Sequence, residues 1–106
     1  MNETTNKAET FNDIINGDTP VLVDFFAEWC GPCKLMGPVL HEVKKHTGDR
    51  ATILKIDIDK VPYYTQLYNV MSVPTLIIFK KGKIVWRKSG VAPAKEILQQ
   101  LNVLIT

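Results

Sequence analysis

The sequence predicts an α/β fold, a central mixed sheet of four or five strands flanked by helices, and three observations predict it. The run Pro20 to Ala27 is almost continuously apolar and β-branched, as in a strand buried on both faces. A helical stripe and a second strand-like run follow it at the spacing of a βαβ unit. Two further strand-like runs flank a cluster of Lys and Gly, as in an antiparallel hairpin. At 106 residues the chain has room for one core, so residues 1–106 read as a single domain. It is 45% apolar and 23% charged, ordinary globular usage that excludes a disordered or fibrous chain. A net charge of +2 gives no case for a nucleic-acid or anionic-membrane partner.

Phe11, Ile14 and Ile15 stand at helical spacing behind Thr10, and Gly17 is placed to end that helix in the left-handed conformation. The Pro20 to Ala27 strand comes next. Met36, Val39, Leu40 and Val43 then recur every three or four residues up to Gly48, an amphipathic helix that Pro38 should kink. Ala51 to Asp57 alternates toward a second buried strand, parallel to the first. Pro62 opens a short helix through Tyr68. Thr75 to Phe79 and Ile84 to Arg87 form the hairpin, with Lys80 to Lys83 as its solvated tip. Pro93 opens a last helix, in which Ile97, Leu98, Leu101, Leu104 and Ile105 make one apolar stripe. The order is αβαβαββα, with residues 1–7 polar and without alternation.

Two cysteines are too few for a disulfide scaffold, so the pair needs a chemical explanation. Trp29-Cys30-Gly31-Pro32-Cys33-Lys34 follows the central strand and opens a helix, with Cys30 at the cap and Pro32 in the first turn, where an N–H has no intrahelical partner. Residues three apart on a helix are neighbours, so the two sulfurs can bond and separate with little backbone movement. The helix N-terminus favours an anion by about 0.3 to 2 kcal/mol, which lowers the Cys30 thiol pKa toward neutrality, so that Cys30, expected to be exposed, becomes a thiolate near neutral pH. A structural staple across so short a loop contributes only about 2 kcal/mol. A zinc site needs further ligands, and His41 and His46 lie roughly 12 and 20 Å up the helix axis at 1.5 Å per residue. Core cysteines without chemistry are the remaining alternative, and a strand, C-x-x-C and helix in a βαβ setting favours redox exchange over it.

The run Val23 to Lys34, together with Pro38, Lys55, Val73-Pro74-Thr75, Gly82 and Gly90, closely resembles the thioredoxin family over residues 11–106. The resemblance implies a thioredoxin-like fold and a protein-disulfide reductase in which Cys30 attacks a target disulfide and Cys33 resolves the mixed disulfide. It implies that Asp24, in an apolar run, accepts the Cys33 proton with Lys55 nearby; burial should raise the Asp24 pKa. Pro74 is similar to the family's cis proline, and the peptide at Val73 would pair with the substrate backbone. Trp29, Gly31, Pro32, Val73, Pro74 and Gly90 would form the contact face for protein substrates. No bound cofactor or metal is implied. Electrons would come from NADPH through a flavoprotein thioredoxin reductase, with disulfide-containing proteins as targets and a monomer as the working form. Gly31-Pro32 between the cysteines resembles the reductants of the family rather than its oxidases and isomerases.

Three departures stand out. The family usually opens with a strand, and here residues 1–7 promise an irregular or weakly formed one. Phe26 occupies a position where Trp is common, which loses an indole donor. Ser72 stands where Gly is frequent. Two rival functions remain at this point: an exported thiol-disulfide protein using a different electron donor, and a binding subunit of the same fold whose cysteines are incidental. Met1 to Thr10 lacks the basic start and apolar run of a signal peptide, so the expected location is cytoplasmic, with an exported mature form as the alternative.

Overall fold

The computed structural model describes residues 10–105, so the expected weak strand in residues 1–7 lies outside the described residues. Thr10 caps α1 (Phe11–Ile15) in a reciprocal box: Asp13 N–H donates to Thr10 Oγ1 at 3.1 Å, and Thr10 N–H donates to Asp13 Oδ2 at 3.2 Å. The end of α1 corrects the expectation for Gly17. The cap is Asn16 in right-handed geometry, and Gly17 N–H bonds Ile14 O at 3.2 Å, so the last carbonyls are satisfied without a left-handed residue.

Strand β1 (Val21–Phe26) lies between β2 (Thr52–Asp57), parallel to it, and β3 (Thr75–Lys80), antiparallel; β4 (Lys83–Ser89) pairs antiparallel with β3. Among the described residues the sheet is therefore mixed and four-stranded, in the order β2-β1-β3-β4. β1 is buried throughout except for half-buried Phe26, as its apolar run requires. β2 is less buried than expected: Thr52, Ile53 and Leu54 are half-buried and Lys55 is exposed, and among the described residues the strand has a neighbour on one side only. The hairpin is tighter than its Lys cluster suggested. Lys81 and Gly82, at φ +52° and +81°, make a two-residue turn, so the strands run to Lys80 and Lys83. Gly82 N–H donates to Ile15 O at 2.7 Å, and a Cβ there would stand 2.2 Å from Asn16 Oδ1. Lys80 is not part of a solvated tip: its Nζ donates to the carbonyls of Asp18 and Leu104.

The helix after β1 is in two pieces, a 3-10 turn at Pro32–Leu35 and then α2 (Met36–Thr47). Pro38 has no N–H for the Lys34 carbonyl four residues back, and the change of helix type falls within the turn preceding it. The N-cap of the 3-10 turn is Gly31 rather than Cys30, which places the first cysteine just outside the helical segment. α3 (Pro62–Leu67) and α4 (Ala94–Ile105) complete the order read from the sequence.

Strand alternation divides the interior into two layers. Leu22, Leu76 and Ile78 pack with Met36, Leu40 and Val43 of α2 and with Ile97 and Leu101 of α4. On the other face Val21, Val23, Phe25, Ile77 and Phe79 pack with Ile15, Ile56 and Val70, under Phe11, Tyr64 and Tyr68. Asp24 and Phe26 share the parity of Leu22, so Asp24 belongs to the sheet face that carries α2. Among the described residues no helix is long and apolar enough to cross a membrane.

Candidate active site

Where β1 gives way to the 3-10 turn, Cys30 and Cys33 are joined in a disulfide, their Cα atoms 5.3 Å apart. The sulfurs fall in a small apolar cluster with Ala27, Phe26, Ile58 and Val73. Solvent exposure does not distinguish the two: Cys30 is 4% exposed and Cys33 8%, so the expectation of an exposed Cys30 is corrected. The strand-to-helix junction folds back over the first cysteine, with Cys30 N–H bonding Ala27 O at 3.1 Å. Hydrogen bonding does separate them. The Cys33 backbone N–H, in the 3-10 turn that Gly31 leads, donates to Cys30 Sγ at 3.1 Å. A donor aimed at a sulfur favours its anionic form.

Asp24 is 1% exposed, and its Oδ1 has no hydrogen-bond partner among the described residues. Burial pushes its carboxyl pKa from the ordinary 3.8 up to about 6, against a smaller opposing pull from the Lys55 ammonium. Lys55 is the register partner of Asp24 on β2. Its Nζ lies 4.8 Å from the centroid of the Phe26 ring, so the aromatic ring at this position holds the cation over its face. A cavity of about 280 Å³, lined by Phe26, Ala27, Glu28, Cys33, Lys34 and Lys55, connects the second cysteine with that lysine. Asp24 is thus a buried acid with its pKa raised to about 6, on the face of the sheet below α2, beside the charge that opposes the rise.

Around the disulfide the remaining expected residues converge to different degrees. The Val73-Pro74 peptide is cis, and Val73 packs against the cysteine cluster. Pro74 O accepts from Gly90 N–H at 2.7 Å, and Gly90 sits at φ +98°, a conformation that favours glycine. Thr75 Oγ1 donates to Ser72 O at 2.7 Å, fixing the turn before Pro74. A side chain at Gly31 would meet nothing within 4 Å, so this glycine leaves the surface beside the sulfurs open. Pro32 begins the 3-10 turn. Trp29 is 70% exposed, and its Nε1–H donates to Asp59 Oδ2 at 2.8 Å.

Sequence reasoning missed Asp59, which holds the indole, and Met71, which is 85% exposed two residues before Val73. Asp59 is itself set by its backbone N–H, which donates to Asp57 Oδ1 at 2.9 Å. The Asp-x-Asp pattern at the end of β2 is a local turn signal, but nothing local pairs it with a tryptophan thirty residues earlier.

Comparisons with known proteins agree with this geometry. The family model described as Thioredoxin matches residues 2–103. The chain is 45% identical over 91 residues to the thioredoxin of Alicyclobacillus acidocaldarius, covering 86% of this chain and 87% of that one. It is 38% identical over 98 residues to the bifunctional thioredoxin reductase/thioredoxin of Mycobacterium leprae, covering 92% of this chain and 21% of the larger protein. A solved structure of chloroplastic thioredoxin z superposes with a TM-score of 0.74 at 33% identity, covering 82% of this chain and 79% of that one.

Proposed function

This chain belongs to the thioredoxin family and is a thioredoxin-type protein-disulfide reductase, and from that premise we propose how its residues divide the reaction. The observation that carries the assignment is the Cys33 N–H bond to Cys30 Sγ, a donor placed to stabilise negative charge on that sulfur. In the reduced protein the Cys30 thiolate attacks one sulfur of a target disulfide. The target S–S bond breaks, one target sulfur leaves as a thiolate that takes up a proton, and the other is held to Cys30 in a mixed disulfide. Cys33 then attacks Cys30 Sγ. Asp24 takes the Cys33 proton, the second target sulfur leaves and is protonated, and the Cys30–Cys33 bond re-forms. The target gains two electrons and two protons. Lys55 keeps the Asp24 pKa from rising further, so the acid can accept that proton near neutral pH.

Trp29, Gly31, Pro32, Val73, Pro74 and Gly90 form the proposed contact face, with the backbone at Val73 pairing with an extended target segment. The proposed electron source is NADPH through a thioredoxin reductase, a reading supported by the Mycobacterium leprae relative, whose name joins the two activities in one chain. A cytoplasmic location goes with that donor; chloroplastic thioredoxin z shows that a relative works elsewhere. The test is reduction of insulin disulfides with catalytic amounts of the protein, driven by dithiothreitol or by NADPH plus reductase. Turnover with both donors supports the full scheme. Turnover with dithiothreitol alone rejects the NADPH route, and none with either rejects the exchange scheme in favour of a binding subunit of the same fold.

A further inference from the structure

The segment carrying Met71 and Val73 leaves α3 through a tightly closed end. Asn69 is left-handed at φ +54°, Asn69 N–H bonds Gln66 O at 3.0 Å, and Val70 N–H bonds Thr65 O at 2.9 Å. This is the paired closure in which an asparagine takes the position glycine usually fills. It satisfies the Thr65 and Gln66 carbonyls and leaves those of Tyr68 and Asn69, at the turn itself, to find other donors. Both meet one side chain from another element. Arg87 on β4 donates Nη1–H to Tyr68 O and Nη2–H to Asn69 O, the latter at 2.8 Å. A planar guanidinium can span two successive carbonyls in this way, whereas an ammonium offers a point charge.

Beyond this clamp Val70 enters the core, Met71 projects into solvent, and the chain reaches Pro74, whose carbonyl is held by Gly90 N–H. Arg87 lies three residues before Gly90, so one short stretch at the end of β4 grips the segment on both sides of Met71 and Val73. The geometry points to Arg87 as a positioning residue for protein-disulfide reduction: it fixes the Tyr68–Asn69 turn and thereby the path of the backbone that Val73 offers to an extended target. This rests on the proposed pairing at Val73. A small aromatic disulfide needs only the sulfurs, so it is indifferent to that path.

The test compares insulin with 5,5′-dithiobis(2-nitrobenzoate) as substrates for Arg87→Ala, Arg87→Lys and Trp29→Ala, at a temperature where circular dichroism shows each variant folded. Loss of two hydrogen bonds that order a docking segment should raise KM for insulin by about five- to tenfold in Arg87→Ala, with kcat within about twofold. Arg87→Lys, able to reach one carbonyl, should fall between, and reduction of the small disulfide should keep its wild-type kcat/KM. If Arg87→Ala lowers both substrates equally, or changes neither, Arg87 has no positioning role. Trp29→Ala separates that failure from a failure of the contact face. A raised insulin KM in Trp29→Ala with none in Arg87→Ala rejects Arg87 alone, and no change in either variant rejects the face and the positioning role together. Should Arg87→Ala not fold, Arg87→Lys decides, an unchanged insulin KM overturning the proposal.

Discussion

The indole N–H of Trp29 and the carboxylate of Asp59 are hydrogen-bonded at 2.8 Å, tying the loop that follows β1 to the loop that follows β2. Trp29 is otherwise largely in solvent, so this bond is the principal restraint on the orientation of its ring. Asp59→Ala should free the ring at a stability cost below about 1 kcal/mol, since both partners can turn to water. The check is the indole N–H resonance by NMR. The Trp29 signal should shift and exchange faster with solvent while that of Trp86 stays fixed, and an unmoved Trp29 signal would contradict the restraint.

Cys33→Ser keeps the backbone N–H that donates to Cys30 Sγ and removes the thiol proposed to resolve the mixed disulfide. It should accumulate target proteins covalently linked through Cys30, visible on non-reducing gels and released by dithiothreitol. Cys30→Ser should accumulate none. Equal trapping by both variants would contradict the proposed roles, since the similar burial of the two cysteines offers no independent reason to prefer either.

Asp24 keeps its proton in the native protein up to about pH 6, whereas in the unfolded chain it loses it near 3.8. Stability from this group is therefore complete below 3.8, declines as pH rises between the two values, and above pH 6 is lower by about 3 kcal/mol. Asp24→Asn should stabilise the fold by about 1 to 3 kcal/mol at pH 8 and by little at pH 3.5, the buried amide retaining some cost of its own. It should also slow release of reduced target. Urea denaturation at the two pH values is the check, and an equal difference at both would exclude a titrating buried carboxyl.

Gly90→Ala introduces a Cβ into open space, so sterics with neighbours are not the obstacle; the backbone at φ +98° is. Forcing a side chain into that region costs about 1 to 3 kcal/mol. The strain bears on the 2.7 Å bond from Gly90 to Pro74 O, so weaker binding of protein disulfides should accompany the lower stability. Unchanged urea midpoints would show that the segment relaxes without cost.

What could be read in the sequence was what local pattern determines. The apolar run of β1, the Pro32 start of the cysteine turn and the stripe of α4 each follow from neighbours within a few residues, and each stands in the structure as read. Expectations failed where a distant element decides. β2 looked buried because its run alternates, yet among the described residues it has a strand neighbour on one side only. Lys80 looked solvated because it adjoins two other lysines, yet the carbonyl of Leu104, twenty-four residues away, accepts from it. Asp59 and Arg87 gave no signal of their partners, which lie thirty and up to nineteen residues away and come into reach only in the completed sheet. Asp24 was legible for the opposite reason: a carboxyl inside an unbroken apolar run has no exposed face to choose.

Successive residues of β1 serve opposite layers, Leu22 with α2 and α4, Val21 and Val23 with α1 and α3, while the strand itself is hydrogen-bonded on both edges. Neither layer can therefore melt by itself, because losing one strips β1 of half its packing and, with it, the ladder that supports the other. The domain should open as one cooperative unit. Its slowest-exchanging amides should be those of Leu22, Val23 and Phe25, with opening free energies equal to that of global unfolding, and the disulfide, hung from the end of this strand, inherits the most persistent platform in the molecule.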